Sequence, residues 1–113
     1  MNWHPLTSVE QLNEVIEESK SKPVVIFKHS TSCSISATAK SRLERKWDDA
    51  DLNDVKAYYL DLLKYRSVSN EIAEVLEVHH ESPQLLLVKD GQCTYEASHL
   101  GISVDELKSQ VTA

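Results

Sequence analysis

Hydrophobic positions change their period several times along this chain, and each change marks an element. In "TSVEQLNEVIEESKS", Val9, Leu12, Val15 and Ile16 recur at helical spacing, and Thr7 and Glu10 stand three apart as in a capping box. Together they predict an amphipathic helix over residues 8–20. "PVVIFKH", residues 23–29, is a short apolar, β-branched run after a proline and predicts a strand buried on both faces. From Ser34 onward Ile35, Ala39, Leu43 and Trp47 fall four apart in one stripe, which predicts a helix reaching about residue 49. "DVKAYYLDL" (54–62) has the valine and tyrosine content of a strand, and "SVSNEIAEVLEV" (67–78) reads as a helix with Ile72, Val75 and Leu76 turned inward.

Pro83 then introduces an apolar run, 85–88, and an alternating run, 92–98, on either side of Asp90-Gly91, a dipeptide suited to a tight hairpin turn. A second capping box, Ser103 to Glu106, opens a closing helix in "SVDELKSQV". The order α-β-α-β-α-β-β-α, without repeats or linkers, predicts one domain over residues 1–113. Its architecture is an α/β, thioredoxin-like fold: a mixed four-stranded sheet, two strands parallel and two in an antiparallel hairpin, with helices on both faces. Sites in such sheets lie beyond the carboxyl end of a central strand where a helix begins, and Cys33 stands at that junction.

Composition narrows the functions available. The 113 residues are 41% hydrophobic and 27% charged, the balance of an ordinary globular domain. A formal net charge of −6, with 12 basic residues scattered among 18 acidic ones, argues against a nucleic-acid partner. The densest basic stretch, "KSRLERKW", reads as a solvated helix face. "MNWHPLTSVEQ" has neither a basic leader nor an apolar core, and no run approaches the ~18 apolar residues of a membrane span, so a cytoplasmic protein without a membrane partner is expected. Only two cysteines are present, which makes no disulfide framework.

That leaves "KHSTSCSISATAK", residues 28–40, as the stretch that carries chemistry. A thiol reacts as its thiolate, and the unsatisfied N–H groups at a helix N-terminus stabilise that charge. Cys33 falls at or beside the N-cap of the helix that starts at Ser34, and Ser36, three residues on, carries a hydroxyl able to donate to the sulfur. Ser30, Thr31, Ser32 and Ser34 are small and polar, as in an exposed loop. Lys28 and His29 bring charge nearby, one to each face of the strand. His29, His80 and His99 read equally as lining the site or as loop residues, whereas His4 and His79 read as exposed. No short C-x-x-C or H-x-x-x-H spacing supports a metal site.

Cys93 belongs to an apolar set with Tyr95 and Ala97 that points into the core, two residues after a turn at the far edge of the sheet. A strand of five or six residues spans ~17–20 Å, whereas a disulfide needs Cα atoms within about 7 Å, so the two cysteines are not expected to pair. Ser36 occupies the place of a second, resolving cysteine. Exchange at Cys33 would therefore stop at a mixed disulfide that an outside thiol must clear.

"FKHSTSCSIS", "ESPQLLLVKDGQ" and "ASHLGIS" resemble the YtxJ-like family over nearly the whole chain. These are the monothiol bacilliredoxins of the thioredoxin superfamily, found in bacteria that use bacillithiol. The resemblance implies removal of bacillithiol from protein mixed disulfides, with Cys33 as nucleophile, and Ser36, from its place three residues on, is the second expected catalytic residue. The resemblance also implies a cis Pro83 whose neighbouring backbone pairs with an extended substrate near Cys33, and Thr31, Ser32, Ser34, Ser82, Pro83 and His99 are the expected substrate contacts. The partners implied are bacillithiol or another low-molecular-weight thiol and bacillithiolated client proteins, with no cofactor. Ser34 departs from the family's Thr-Cys-Pro-Ile-Ser motif, which bears on the reduction potential through the lost proline at the first helical position. Two other readings stay open: an iron–sulfur-binding monothiol glutaredoxin-like protein, whose glycine-rich elements are absent here with only Gly91 and Gly101 in the chain, and a non-catalytic thioredoxin-like binding module.

Overall fold

The computed structural model describes residues 2–47, 52 and 54–111. Its strands are β1 (Trp3–Pro5), β2 (Val24–His29), β3 (Lys56–Asp61), β4 (Gln84–Lys89) and β5 (Gln92–Ser98). The helices are α1 (Val9–Glu18), α2 (Ser34–Lys46), α3 (Arg66–Val75) and α4 (Val104–Val111), with a 3-10 turn at His99–Gly101. In the sheet order β1-β3-β2-β4-β5, the first three strands are parallel, while β4 runs antiparallel to β2 and β5 to β4.

The expected α/β architecture is present, and β2, the apolar run, is the middle strand with every residue buried. On one face Val24, Ile26, Leu86 and Val88 pack with Leu12 and Val15 of α1 and Val68 and Ile72 of α3. On the other, Val25, Phe27, Leu85 and Leu87 pack with Ala39 and Leu43 of α2 and Val104 and Leu107 of α4. Asp90 and Gly91 adopt φ of 54° and 77°, the left-handed pair of a tight hairpin turn. Ser103 accepts a hydrogen bond from the Glu106 N–H at 3.4 Å, as its capping spacing predicts. Among the described residues no helix is long and apolar enough to cross a membrane.

Several expectations need correction. The sheet has five strands, not four, because Trp3–Pro5 adds a parallel edge strand to β3. Three residues are too few to show a period; what holds them is Trp3, stacked on Phe27 with ring centroids 5.7 Å apart and donating to the Glu44 carboxylate at 2.8 Å. The cap of α1 is Ser8 rather than Thr7. Its hydroxyl accepts from the Gln11 N–H, and the Gln11 side chain accepts in turn from the Thr7 N–H. Helix α2 stops at Lys46, and positions 48 and 49 of the expected extension lie outside the described residues.

The inward rows of two helices also differ from expectation. In α2 the buried row is Ser36, Ala39 and Leu43, an i, i+3, i+7 row that leaves Ile35 44% exposed. In α3, Val68, Ser69 and Ile72 face inward while Val75 is 42% exposed. Finally, Cys93 does not share a face with Tyr95 and Ala97. Val88 pairs with Cys93 but Leu87 pairs with Tyr95, so Thr94 is an extra residue in a β-bulge. The bulge sends Cys93 toward the α1/α3 face while Tyr95 and Ala97 pack on the α2/α4 face.

Candidate functional site

The chain leaves the middle of the sheet at His29, turns through residues 30–33 and enters α2, with Cys33 as the N-cap in extended backbone (φ −108°, ψ 121°). The turn is closed by the Cys33 N–H on the Ser30 carbonyl, 3.1 Å, and the helix begins with the Ala37 N–H on the Cys33 carbonyl, 3.1 Å. The thiol makes no capping hydrogen bond and is partly exposed. Thr31, Ser32 and Ser34 around it line the turn and the helix start, and Ser32 is 3.2 Å from Ser30, hydroxyl to hydroxyl.

Ser36 is placed differently from the expectation of a donor to the sulfur. Its side chain is fully buried, with its hydroxyl oxygen 2.6 Å from His29 Nδ1 and accepting from the Ser30 N–H at 3.0 Å. His29 itself is buried between Phe27, which it stacks on, and Tyr59. Burial, reinforced by the Lys40 charge and opposed by Asp61, holds its pKa below the usual imidazole value, so it is neutral at neutral pH.

The neighbouring strand reaches the same end of the sheet. β4 starts at Gln84, opposite Lys28 of β2, and is preceded by a cis peptide between Ser82 and Pro83, as the resemblance implied. Ser82 has a buried hydroxyl with no partner among the described residues, and its backbone joins no backbone hydrogen bond there. The Pro83 carbonyl accepts from the His99 N–H at 3.0 Å, and the 3-10 turn that His99 begins packs against α2. The fold thus brings His99 to the rim, but its imidazole lies 3.9 Å from the Glu81 carboxylate. His79 and His80 stand in the connection that leads to Ser82, both exposed.

The second cysteine is elsewhere. Cys93 is half-buried near the hairpin turn, its thiol donating to the Tyr95 carbonyl at 3.4 Å, and burial pushes its pKa up. Both cysteines are free thiols. Among the described residues no group of three His, Cys, Asp or Glu side chains is placed to hold a metal ion.

Sequence reasoning missed one feature of this end of the sheet. Lys28 is fully buried, and its ammonium group lies 3.2 Å from the Ser69 carbonyl and 3.2 Å from His80 Nδ1. The available signal was a lysine inside a strand otherwise read as buried on both faces. Such a lysine has to find a partner inside the protein.

A partly exposed thiol at a helix N-terminus, with the second thiol at the far end of the sheet, is equipped to form and hold a mixed disulfide. Comparison with known proteins gives the same direction. A family model described as monothiol bacilliredoxin BrxC matches residues 4–107. A solved structure described as a proposed oxidoreductase with a thioredoxin fold is 34% identical, with a TM-score of 0.79 over 94% of this chain and 90% of that one. Two thioredoxins share the fold at lower identity. That of Malassezia sympodialis is 20% identical with a TM-score of 0.76, over 98% of this chain and 89% of its own. That of Fasciola hepatica is 17% identical with a TM-score of 0.73, over 96% of each chain.

Proposed function

This chain belongs to the monothiol bacilliredoxin BrxC family of thioredoxin-fold thiol oxidoreductases, and from that premise we propose that it removes bacillithiol from protein mixed disulfides with Cys33 as nucleophile. The Cys33 thiolate attacks the bacillithiol sulfur of the client's mixed disulfide. That S–S bond breaks, the client sulfur leaves with the bonding pair and takes a proton from solvent, and a new disulfide joins bacillithiol to Cys33. One disulfide replaces another, so no outside oxidant or reductant enters this step. A second low-molecular-weight thiolate then attacks the bacillithiol sulfur of the adduct, releasing a small-molecule disulfide and restoring the Cys33 thiolate.

The observation that carries this reading is the placement of the two cysteines and Ser36. Cys33 is partly exposed at the N-cap of α2, the Ser36 hydroxyl is bonded to His29 and Ser30, and Cys93 lies near the hairpin turn. No thiol of the same chain can take over the adduct. In this scheme Thr31, Ser32 and Ser34 contact the small thiol, Ser82 and Pro83 receive the extended client chain, and His99 lines the rim. Ser36 acts by holding the first turn of α2 against β2. The site of action is the cytoplasm.

The test is to mix the reduced protein with a bacillithiolated client and, separately, with a glutathionylated one, and to follow both by intact mass. Transfer of bacillithiol to Cys33, faster than that of glutathione and absent in Cys33→Ser, is expected. If neither adduct moves to Cys33, the exchange mechanism is wrong and the chain is a binding module.

A further inference from the structure

Lys28 and Gln84 face each other across β2 and β4, and both side chains are fully buried. Both turn their polar ends away from the sheet. The Lys28 ammonium group reaches the Ser69 carbonyl on α3 and His80 Nδ1, each at 3.2 Å, and the His80 ring is in turn 3.4 Å from the Ser69 hydroxyl. The Gln84 side-chain amide donates to the His79 carbonyl at 3.0 Å, and its oxygen accepts from the Glu81 N–H at 3.4 Å. A Glu96 carboxylate, 3.1 Å away, fixes the same amide from β5. Two neighbouring buried side chains thus hold three consecutive residues, His79, His80 and Glu81, immediately before Ser82 and the cis peptide.

This arrangement is unfavourable in the case of Lys28, because taking an ammonium ion out of water costs several kcal/mol and, among the described residues, no carboxylate pairs with it. An apolar side chain would fill the space without that penalty. What an apolar side chain cannot do is pin a loop by directed hydrogen bonds. The segment so pinned leads to Ser82, whose backbone joins no backbone hydrogen bond among the described residues.

We propose that Lys28 and Gln84 form a polar clamp that holds the His79–Pro83 connection rigid as a pairing surface for an extended client peptide. Both are then positioning residues for attack on protein mixed disulfides, and neither is needed when Cys33 reacts with a small disulfide. The proposal rests on the reading of Cys33 given above. The clamp requires a neutral His80, since Nδ1 must accept from Lys28. The charged groups acting on that ring are Lys28 from β2, Arg66 from α3, and His79 and Glu81 from its own connection. Partial desolvation of the ring against Lys28 and Ser69 opposes its protonation, as do all of these groups but Glu81.

The experiment compares unaltered protein with Lys28→Met and with His80→Leu, the latter at an exposed position. Each is assayed with a bacillithiolated protein and with bacillithiol disulfide as the small substrate. The expected result is a KM for the protein substrate raised about tenfold in both variants, the size of one lost hydrogen bond to a charged group, with kcat and the small-disulfide rate unchanged. In the unaltered protein the same KM rises as His80 becomes protonated in acid, and His80→Leu abolishes that dependence. An unchanged KM in both variants overturns the clamp, as does a parallel loss with both substrates. Failure of the unaltered protein to react with either substrate is a different result and overturns the reading of Cys33 itself.

Discussion

The Ser36 hydroxyl oxygen lies 2.6 Å from His29 Nδ1, so the side chain one turn beyond Cys33 is turned inward to the end of β2 rather than bonded to the sulfur. The same oxygen accepts from the Ser30 N–H at 3.0 Å. One hydroxyl therefore ties the strand, the turn and the helix together at the place where a dithiol protein carries its second cysteine.

Replacing that hydroxyl by a thiol is expected to change the fate of the adduct. Residues three apart at a helix start have Cα atoms about 5 Å apart, within the range of about 4.4–6.8 Å that a disulfide spans. The Ser36→Cys variant should therefore expel bacillithiol and accumulate an internal disulfide between Cys33 and the thiol introduced three residues on. Intact mass would show it, and under the proposed function the unaltered protein should accumulate the adduct instead. Ser36→Ala, which leaves His29 and the Ser30 N–H unpaired in a buried place, should lower stability in urea by about 1–3 kcal/mol.

Lys28→Met should gain stability. Burial lowers the Lys28 pKa from 10.5 to about 8, so the unfolded chain binds the proton more readily than the folded one. The folded state carries the whole penalty below about pH 8, and the penalty disappears as pH rises from about 8 toward 10.5. A shift of this size corresponds to about 3 kcal/mol, which is the upper bound of the gain near neutrality. Urea midpoints of the two proteins should differ most near neutral pH and converge toward about pH 10. A gain that does not shrink in alkali would mean that the charge is not its source.

The two thiols should separate cleanly on labelling. Cys33 is a partly exposed N-cap, whereas Cys93 is half-buried, bonded to the Tyr95 carbonyl and held protonated by burial. Iodoacetamide near neutral pH should modify Cys33 alone, with Cys93 reacting only in denaturant. Peptide mass spectrometry distinguishes them, and equal labelling in native buffer would contradict the burial of Cys93.

Trp3→Ala should be costly for so short a strand. The ring stacks on Phe27, meets Tyr59 edge-on and donates to Glu44, so it closes the α2 side of the core. A loss of about 2–3 kcal/mol is expected, at or just below the range of about 3–5 kcal/mol for truncating a buried large aromatic, because the ring is only partly buried. Chemical denaturation measures it, and a change under about 0.5 kcal/mol, the ordinary surface value, would show that β1 is an ornament of the sheet.

These predictions also mark what the sequence made legible. The middle strand, the Cys33 cap and the hairpin can be read because each rests on a local rule: a β-branched run, a change of period, an Asp-Gly pair. The Ser36 orientation cannot, since a hydroxyl three residues after a cap can turn to the sulfur or to the strand below, and only the buried His29 decides. A stripe drawn through the apolar positions turns Ile35 and Val75 inward on paper, while the buried positions are Ser36, Ala39 and Leu43 in α2 and Val68, Ser69 and Ile72 in α3. The bulge at Thr94 leaves no mark until β5 is paired with β4, and it alone reverses the face of Cys93.

The two margins of the sheet carry a last consequence. β1 offers only three residues and ends in Pro5, which has no N–H to donate, and β5 is broken by its bulge and carries Glu96. Neither border is a long flat row of free amide groups onto which another chain could zip. Self-association by strand pairing is thereby discouraged at both sides of the sheet.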